Sequence, residues 1–494
     1  MSESSQLTSQ QASQQATQQS STKQTSEQPS QGLQQPLPPG SPQTTQCSAQ
    51  TQRLLDEIRQ FRKRYPDVAE VDLIAQDIPG NFFGKRSPIT QLEKCVETGL
   101  KLPASIPLMC VQGYPVNALG YGLDDGDPDT TMYLIPGSLQ PVRWESEPRA
   151  QMFCTTGIGP APLAWEPRVI LQQVLNQFQA LDLYPTVAYE LEFYLVSMER
   201  DGDGLIQPPR DPVTGNNDRT AVLAIERLSD YGDCLREIIL NCQQQGIKTG
   251  PISAELGPGQ YEINLDHHSD VMLAADQCAC FRRIVKGVAR KHGYLATFMA
   301  KPYLDHPGNG LHLHVSLYDK DGNNALDKHN KTNLLHAVAG CLELLPASMA
   351  MFAANRNAYR RLQPNNFTAV SPNWGYENRF VAVRIPNSDA ANTRLEHRVS
   401  GADANPYLTL AAILAGILHG LVEKADPGAP CDGSTDQTLG LPTDLNQALS
   451  LMRQSNPLRK LLGDKFVDVY CAQKYSELVE FENLISAREY DWYL

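Results

Sequence analysis

The stretch Ala188-Tyr-Glu-Leu-Glu-Phe-Tyr-Leu195 sets two carboxylates, Glu190 and Glu192, inside an otherwise apolar, β-favouring run. Strand side chains alternate between faces, so Glu190 and Glu192 point one way and Leu191 and Phe193 the other. Ionised carboxylates are costly to desolvate, so the acidic face is either solvated surface or the wall of a site that supplies partners. For this octapeptide alone both readings stand. The pattern repeats. Gly310-Leu-His-Leu-His-Val-Ser-Leu317 alternates His312 and His314 with apolar residues, and Thr393-Arg-Leu-Glu-His-Arg-Val399 puts Arg394, Glu396 and Arg398 on one face. Glu255-Leu-Gly-Pro-Gly-Gln-Tyr-Glu262 adds two carboxylates across a Gly-Pro-Gly turn.

Each segment alone has a plain explanation as a half-exposed strand or a core histidine. Together they predict the walls of one site. Carboxylates with imidazole and without thiolates suit hard ions such as Mg²⁺ or Mn²⁺. Arginines beside such ions are planar, bidentate clamps for phosphate. The combination points to phosphoryl transfer from a nucleotide. The common nucleotide signatures are missing: Gly80-Asn-Phe-Phe-Gly-Lys-Arg-Ser87 has three residues between its glycines where a P-loop needs four, and Arg86 where Ser or Thr should follow Lys.

The formal net charge of −13 argues against nucleic-acid or anionic-membrane partners and suits a cationic ligand. Eleven cysteines without a CxxC pair, and no secretory signal, predict reduced thiols in a cytoplasmic protein. The apolar run Tyr407–Val422 contains a histidine, falls short of a bilayer span and reads as a buried helix, the one membrane candidate considered. Residues 1–50, rich in Gln, Ser, Thr and Pro, cannot offset chain entropy and are expected to be a disordered tail. Order is expected from Thr51, with Leu54, Leu55, Ile58 and Phe61 on one helical face. A β-rich domain to about residue 155 and a mixed helix-and-strand domain over 156–494 follow, joined by Gly157–Pro162 and a helix from Pro167 to Leu181.

In chain order, Asp77-Ile-Pro-Gly80, Glu190-Leu-Glu-Phe193, Glu255–Glu262, Gly308-Asn-Gly-Leu-His312, Asn357-Ala-Tyr-Arg-Arg-Leu362, Asn378-Arg379, Arg384-Ile-Pro386, Arg394-Leu-Glu396 and Asn405-Pro-Tyr-Leu408 resemble the motif blocks of the glutamine synthetase family. The resemblance implies an α+β fold: a small N-terminal β-grasp-like domain over 51–155, then a large α/β catalytic domain whose antiparallel sheet lines the active-site channel. It implies one divalent ion on Glu192, Glu255 and Glu262 and a second on Glu190, His312 and Glu396. His314, Ser316 and Arg384 match ATP contacts, and Arg361, Arg398 and Gly308 match the glutamate site. Arg379 matches the residue that stabilises the transferring phosphoryl group, and Asp77 an acid that acts as base, reaching in from a neighbouring subunit. A ring-shaped homo-oligomer of two stacked hexamers is implied with it.

The departures bear on the substrate. Ammonia-using members carry a flap glutamate soon after the Arg-Arg-Leu motif, but Arg361–Val370 contains no acid. The loss leaves room for a larger amine. The blocks Gly126–Asp129, Ser371–Asn378 and Arg398–Asn405 look more like γ-glutamylputrescine synthetases, so the expected reaction is ATP-dependent joining of the γ-carboxylate of glutamate to putrescine or a longer polyamine. An ammonia-dependent glutamine synthetase and a non-catalytic relative are the alternatives. Pro307 stands where ammonia-using members place an asparagine, and Asp436–Pro442 lacks the tyrosine that some members present for adenylylation. The Asp124, Asp125, Asp127 and Asp129 cluster could attract a distal ammonium or be a solvated turn.

Overall fold

The computed structural model describes residues 42–327, 331–364, 368–432 and 439–494. Of the tail expected to be disordered over residues 1–50, residues 1–41 lie outside them, as do residues 365–367 of the flap segment and 436–438 of the adenylylation loop; residues 42–50 depart from the expectation and are helical. Residues 50–494 form one compact unit.

The chain enters on helix α1 (Pro42–Arg64), and from residue 51 onward its buried stripe is Leu54, Ile58 and Phe61 at helical spacing, with Leu55 half-buried. The stripe covers a six-stranded sheet of β1 (Glu70–Gln76), β2 (Phe82–Pro88), β3 (Leu100–Pro103), β4 (Asp129–Leu134), β5 (Gln140–Val142) and β6 (Arg149–Thr155), ordered β2-β1-β6-β4-β3 with β5 on β6. The β1–β6 pair is parallel and the others antiparallel. The Gly80–Ser87 run leads into strand β2 and not into a helix, which removes the P-loop reading.

The second sheet has eight strands: β7 (Leu183–Ser197), β8 (Thr249–Ala254), β9 (Gln260–Leu265), β10 (Tyr294–Thr297), β11 (Leu311–Asp319), β12 (Trp374–Tyr376), β13 (Val383–Ile385) and β14 (Leu395–His397). Its order is β12-β13-β14-β11-β7-β9-β8 with β10 on β7, antiparallel except at the β12–β13 edge. Leu191, Phe193, Ile263, Leu313, Val315 and Leu395 are fully buried on one face of this sheet. Behind them lie helices from the set α2 (Leu92–Thr98), α3 (Pro167–Gln179), α4 (Ile225–Asp230), α5 (Gly232–Gln244), α6 (Val271–Lys291), α7 (Lys331–Phe352), α8 (Pro406–Glu423), α9 (Leu445–Gln454), α10 (Asn456–Leu462), α11 (Asp464–Glu482) and α12 (Ala487–Tyr493). Phe193 meets Phe281 of α6 edge-on at 6.3 Å, and the Tyr189 hydroxyl donates to the Pro406 carbonyl at the start of α8. Asn405 caps α8 by accepting from the amides of Tyr407 and Leu408.

Among the described residues two helices, Thr332–Phe352 and Pro406–Glu423, are long and apolar enough to cross a membrane, and 78% of each apolar window is buried inside the fold. The first of them was not among the expected candidates, which were limited to Tyr407–Val422. The two helices pack through glycines: a Cβ at Gly420 would lie 1.9 Å from the His336 carbonyl oxygen, and one at Gly340 2.1 Å from that of Gly416. Gly420→Ala must therefore part the helices, at a cost of about 3 kcal/mol. Denaturant unfolding measures this; an unchanged midpoint would contradict the packing.

Candidate active site

Register brings the four charged segments onto the face opposite the leucines. Glu190 of β7 lies across from His312 of β11 and Asn264 of β9, and Glu192 across from Glu262. Glu396 of β14 lies across from His314 on one side and Arg384 of β13 on the other. The solvated-surface reading of the acidic strand fails, since both carboxylates are at most half-exposed and meet partners.

Glu190 accepts from His314 Nε2 at 2.9 Å and approaches His312 Nδ1 at 3.4 Å. Burial works against its charge, yet these two imidazoles hold the Glu190 carboxyl far below the usual range. Glu396, 1% exposed, bonds Arg384 at 2.8 Å and Arg398 at closer range. Burial opposes its ionisation too, and Arg398 and His312 prevail, holding its carboxyl low. The other half is short of cations. Burial and then repulsion from Glu192 push Glu255 up to about 7 and Glu262 up to about 9, with Arg379 the leading opposing charge on Glu255. The face is thus divided into an arginine-neutralised side and a carboxylate-crowded side.

Among the described residues two donor groups are close enough to share an ion: Glu190, Glu262 and His312, and Glu190, His314 and Glu396, each with ligand atoms within 4.8 Å of one another. These groupings differ from the implied sets. Glu262 lies with Glu190 and His312, and His314, assigned by resemblance to the nucleotide, lies with Glu190 and Glu396. Glu192 accepts the Gly310 amide at 2.7 Å, and Glu255 sits on the β8–β9 turn, its amide bonded to the Gln260 carbonyl at 2.9 Å.

The remaining candidates are spread around this face. Arg361 is buried, and its guanidinium donates to the Val399 carbonyl at 2.7 Å. Gly308 and Gly310 make room for it, since a Cβ would lie 2.8 Å and 3.0 Å from its side chain. Arg398 reaches from Glu396 to the Arg379 carbonyl at 3.3 Å, while the Arg379 side chain is exposed. Ser316 is buried and donates to the Thr393 carbonyl at 3.1 Å. Asp77 is not brought to this cluster within the chain. It lies on the β1–β2 turn, 4% exposed, with Asn81 on both carboxylate oxygens and Asn405 on its carbonyl at 2.9 Å. Burial pushes its carboxyl up to about 7. The Pro307 carbonyl accepts the Tyr194 hydroxyl at 2.8 Å. Asp127 bonds the amide and hydroxyl of Ser105 and lies at a positive φ of 48°, so the aspartate cluster is in part a structured turn.

Sequence reasoning missed a cavity of about 450 Å³ at the far end of the same face, lined by Thr186, Lys248, Asp266, His267, His268 and Tyr318 among others. Thr186, Asp266 and Tyr318 continue the period-2 series of Glu190, Glu262 and His314. That periodicity was the available signal. Gln260, which holds the Gly308 carbonyl at 3.0 Å, and Arg227, which holds the Glu255 carbonyl at 2.7 Å, had none.

The sequence profile described as "Glutamine synthetase, catalytic domain" matches residues 164–493. The chain belongs to the glutamine synthetase family. Within that family it is 40% identical over 445 residues to the γ-glutamylputrescine synthetase PuuA of Escherichia coli, covering 89% of this chain and 94% of that one. It is 28% identical to a glutamate–isopropylamine ligase of a Pseudomonas species, covering 90% and 99%, and 30% identical to a glutamine synthetase of Thermococcus kodakarensis, covering 82% and 89%. Among solved structures, GmaS without ligand superposes with a TM-score of 0.74 at 26% identity, over 87% of this chain and 97% of that one. This likeness bears out the expected family fold.

Proposed function

We propose that this member of the glutamine synthetase family is an ATP- and Mg²⁺- or Mn²⁺-dependent ligase that joins the γ-carboxylate of L-glutamate to a primary amine, putrescine or a longer polyamine. The observation that carries the reading is the single sheet face holding Glu190, Glu192, Glu262, His312 and Glu396 beside Arg384 and Arg398, with Glu255 on the adjoining β8–β9 turn. Its hard oxygen-rich donors, crowded until Glu262 rises to about 9, fit divalent cations. Held by those six side chains, two or more such ions would neutralise the phosphate oxygens of ATP and the carboxylate that approaches them.

The chemistry proceeds in two displacements. An oxygen of the γ-carboxylate attacks the γ-phosphorus of ATP, and ADP leaves. The amine nitrogen then attacks the acyl carbon of γ-glutamyl phosphate, phosphate leaves with that oxygen, and the nitrogen gives up its proton. Arg361 and Arg398 hold glutamate, with the backbone at Gly308 beside them. His314, Ser316 and Arg384 face the nucleotide phosphates, and the cavity at Lys248, His267 and Tyr318 accommodates its nucleoside end. Arg379 stabilises the moving phosphoryl group, its charge free of ion pairs to the inner carboxylates. Asp77, supplied by the 51–155 domain of a neighbouring subunit in a ring-shaped oligomer, takes the proton of the amine. The buried free thiols of Cys234, Cys242, Cys278 and Cys280 are in keeping with a cytoplasmic setting.

A larger amine is favoured over ammonia by the acid-free run Arg361–Val370 and by the 40% identity to a γ-glutamylputrescine synthetase. Phosphate release with ATP, glutamate and Mg²⁺ should be at least roughly 10-fold higher in kcat/KM with putrescine or spermidine than with ammonium. Ammonium as the preferred acceptor would refute the amine assignment. Silence with every acceptor would favour a non-catalytic relative. A fully active monomer would refute the shared site.

A further inference from the structure

Just after strand β12 the chain holds a glutamate in a backbone conformation that does not suit it. Glu377 lies at a positive φ of 53°, which residues other than Gly, Asn and Asp rarely adopt. Three bonds keep it there. Its amide donates to the Ile385 carbonyl at 3.1 Å, and its Oε1 accepts the Asn387 amide at close range and Arg384 Nη2 at 3.5 Å. The other end of that guanidinium belongs to Glu396, which accepts from Arg384 Nη1 at 2.8 Å. Arg384 Nε is buried with no acceptor among the described residues. The two carboxylates, one on each Nη, therefore set the direction of the guanidinium. All of these contacts are made within one chain.

We propose that Glu377 is a positioning residue that holds Arg384 out toward the nucleotide phosphates against the pull of Glu396. The proposal rests on the reading of Arg384 as a contact of ATP. Glu396 is buried and also bonds Arg398, whereas the Glu377 carboxylate is exposed at the rim of the face. Released from Glu377, the guanidinium would close on Glu396 with both nitrogens, the paired geometry that arginine and carboxylate favour. It would then turn from the phosphates. The charge of Glu377 itself repels an incoming phosphate only weakly, because water and salt screen an exposed carboxylate. A glutamate that only pinned the turn through the Asn387 amide would leave Arg384 indifferent to its charge.

The test is calorimetric binding of ADP with Mg²⁺ to the assembled enzyme, beside KM for ATP, glutamate and putrescine. Glu377→Ala should weaken ADP and raise KM for ATP by about 10-fold, while KM for glutamate and putrescine stays within about twofold. Glu377→Gln still accepts the Asn387 amide but lacks the charge, so it should weaken ADP by about 3-fold. This second variant keeps the test decisive if Glu377→Ala does not fold. In an Arg384→Gln background Glu377→Gln should weaken ADP no further, because the group it positions is gone. Folded Glu377→Gln that binds ADP as tightly as the wild type, or more tightly, would overturn the proposal. So would a full effect of Glu377→Gln in the Arg384→Gln background, or a common rise in all three KM values. Arg384→Gln alone separates the two ideas. If it weakens ADP while the Glu377 variants do not, only the role of Glu377 falls; if it leaves ADP binding unchanged, the reading of Arg384 falls and takes the proposal with it.

Discussion

Glu255→Ala is expected to lower ATP-dependent phosphate release by about 10³-fold or more, with the oligomer still assembled. Glu255 is among the carboxylates that Arg379 and Arg227 only partly balance, and its charge is useful only opposite a cation brought by the reaction. Losing one such ligand forfeits about 4 kcal/mol of transition-state stabilisation. The substitution should not lower the stability of the protein in chelator, because it also removes a repelling carboxyl beside Glu192. Unchanged turnover would refute the assignment of Glu255 as an ion ligand. A loss of turnover that tracks a loss of assembly would show it to be structural.

The second large effect is on stability against pH. The folded-state pKa of Glu262 lies at about 9 and that of Glu255 at about 7, both above an ordinary glutamate. Between the ordinary value and these values the folded chain binds more protons than the unfolded one, so stability must fall as pH rises. In chelator the fall runs from about pH 5 to pH 9 and amounts to on the order of 5 kcal/mol from Glu262 alone. Glu190 and Glu396 run the other way. Their folded values are depressed, so their contribution is present above the ordinary glutamate pKa and is lost only as the solution turns acid. Adding Mg²⁺ or Mn²⁺ should raise the melting temperature, and the increment should grow from pH 6 to pH 9. A pH-independent increment would mean that the added ion binds elsewhere.

Much of the site was legible because strand alternation is a local rule. Glu190, Glu192, His312 and His314 declare their common face from spacing alone, and register then pairs Glu190 with His312. Helix α8 could be read from its unbroken apolar run and its Asn-Pro start. What escaped depends on contacts between distant segments. No local pattern says that Arg384 and Arg398 both close on Glu396, or that His314 joins Glu190 and Glu396 in place of His312. The strand expected over Thr393–Val399 shortens to Leu395–His397. The Asn405 side chain that caps α8 also holds the Asp77 loop, 328 residues away in sequence, and only the folded chain shows it. Lys248, His267 and His268 reach their cavity from strand ends and turns, where periodicity stops.

The central claim is that the γ-carboxylate of glutamate is phosphorylated and then displaced by an amine. Glutamate labelled with ¹⁸O in that carboxylate tests it most directly, in a reaction with ATP, Mg²⁺ and putrescine followed by mass spectrometry of phosphate and product. The account predicts one ¹⁸O in each released phosphate and one retained in γ-glutamylputrescine. Unlabelled phosphate, or labelled phosphate formed only when ammonium replaces putrescine, would contradict it.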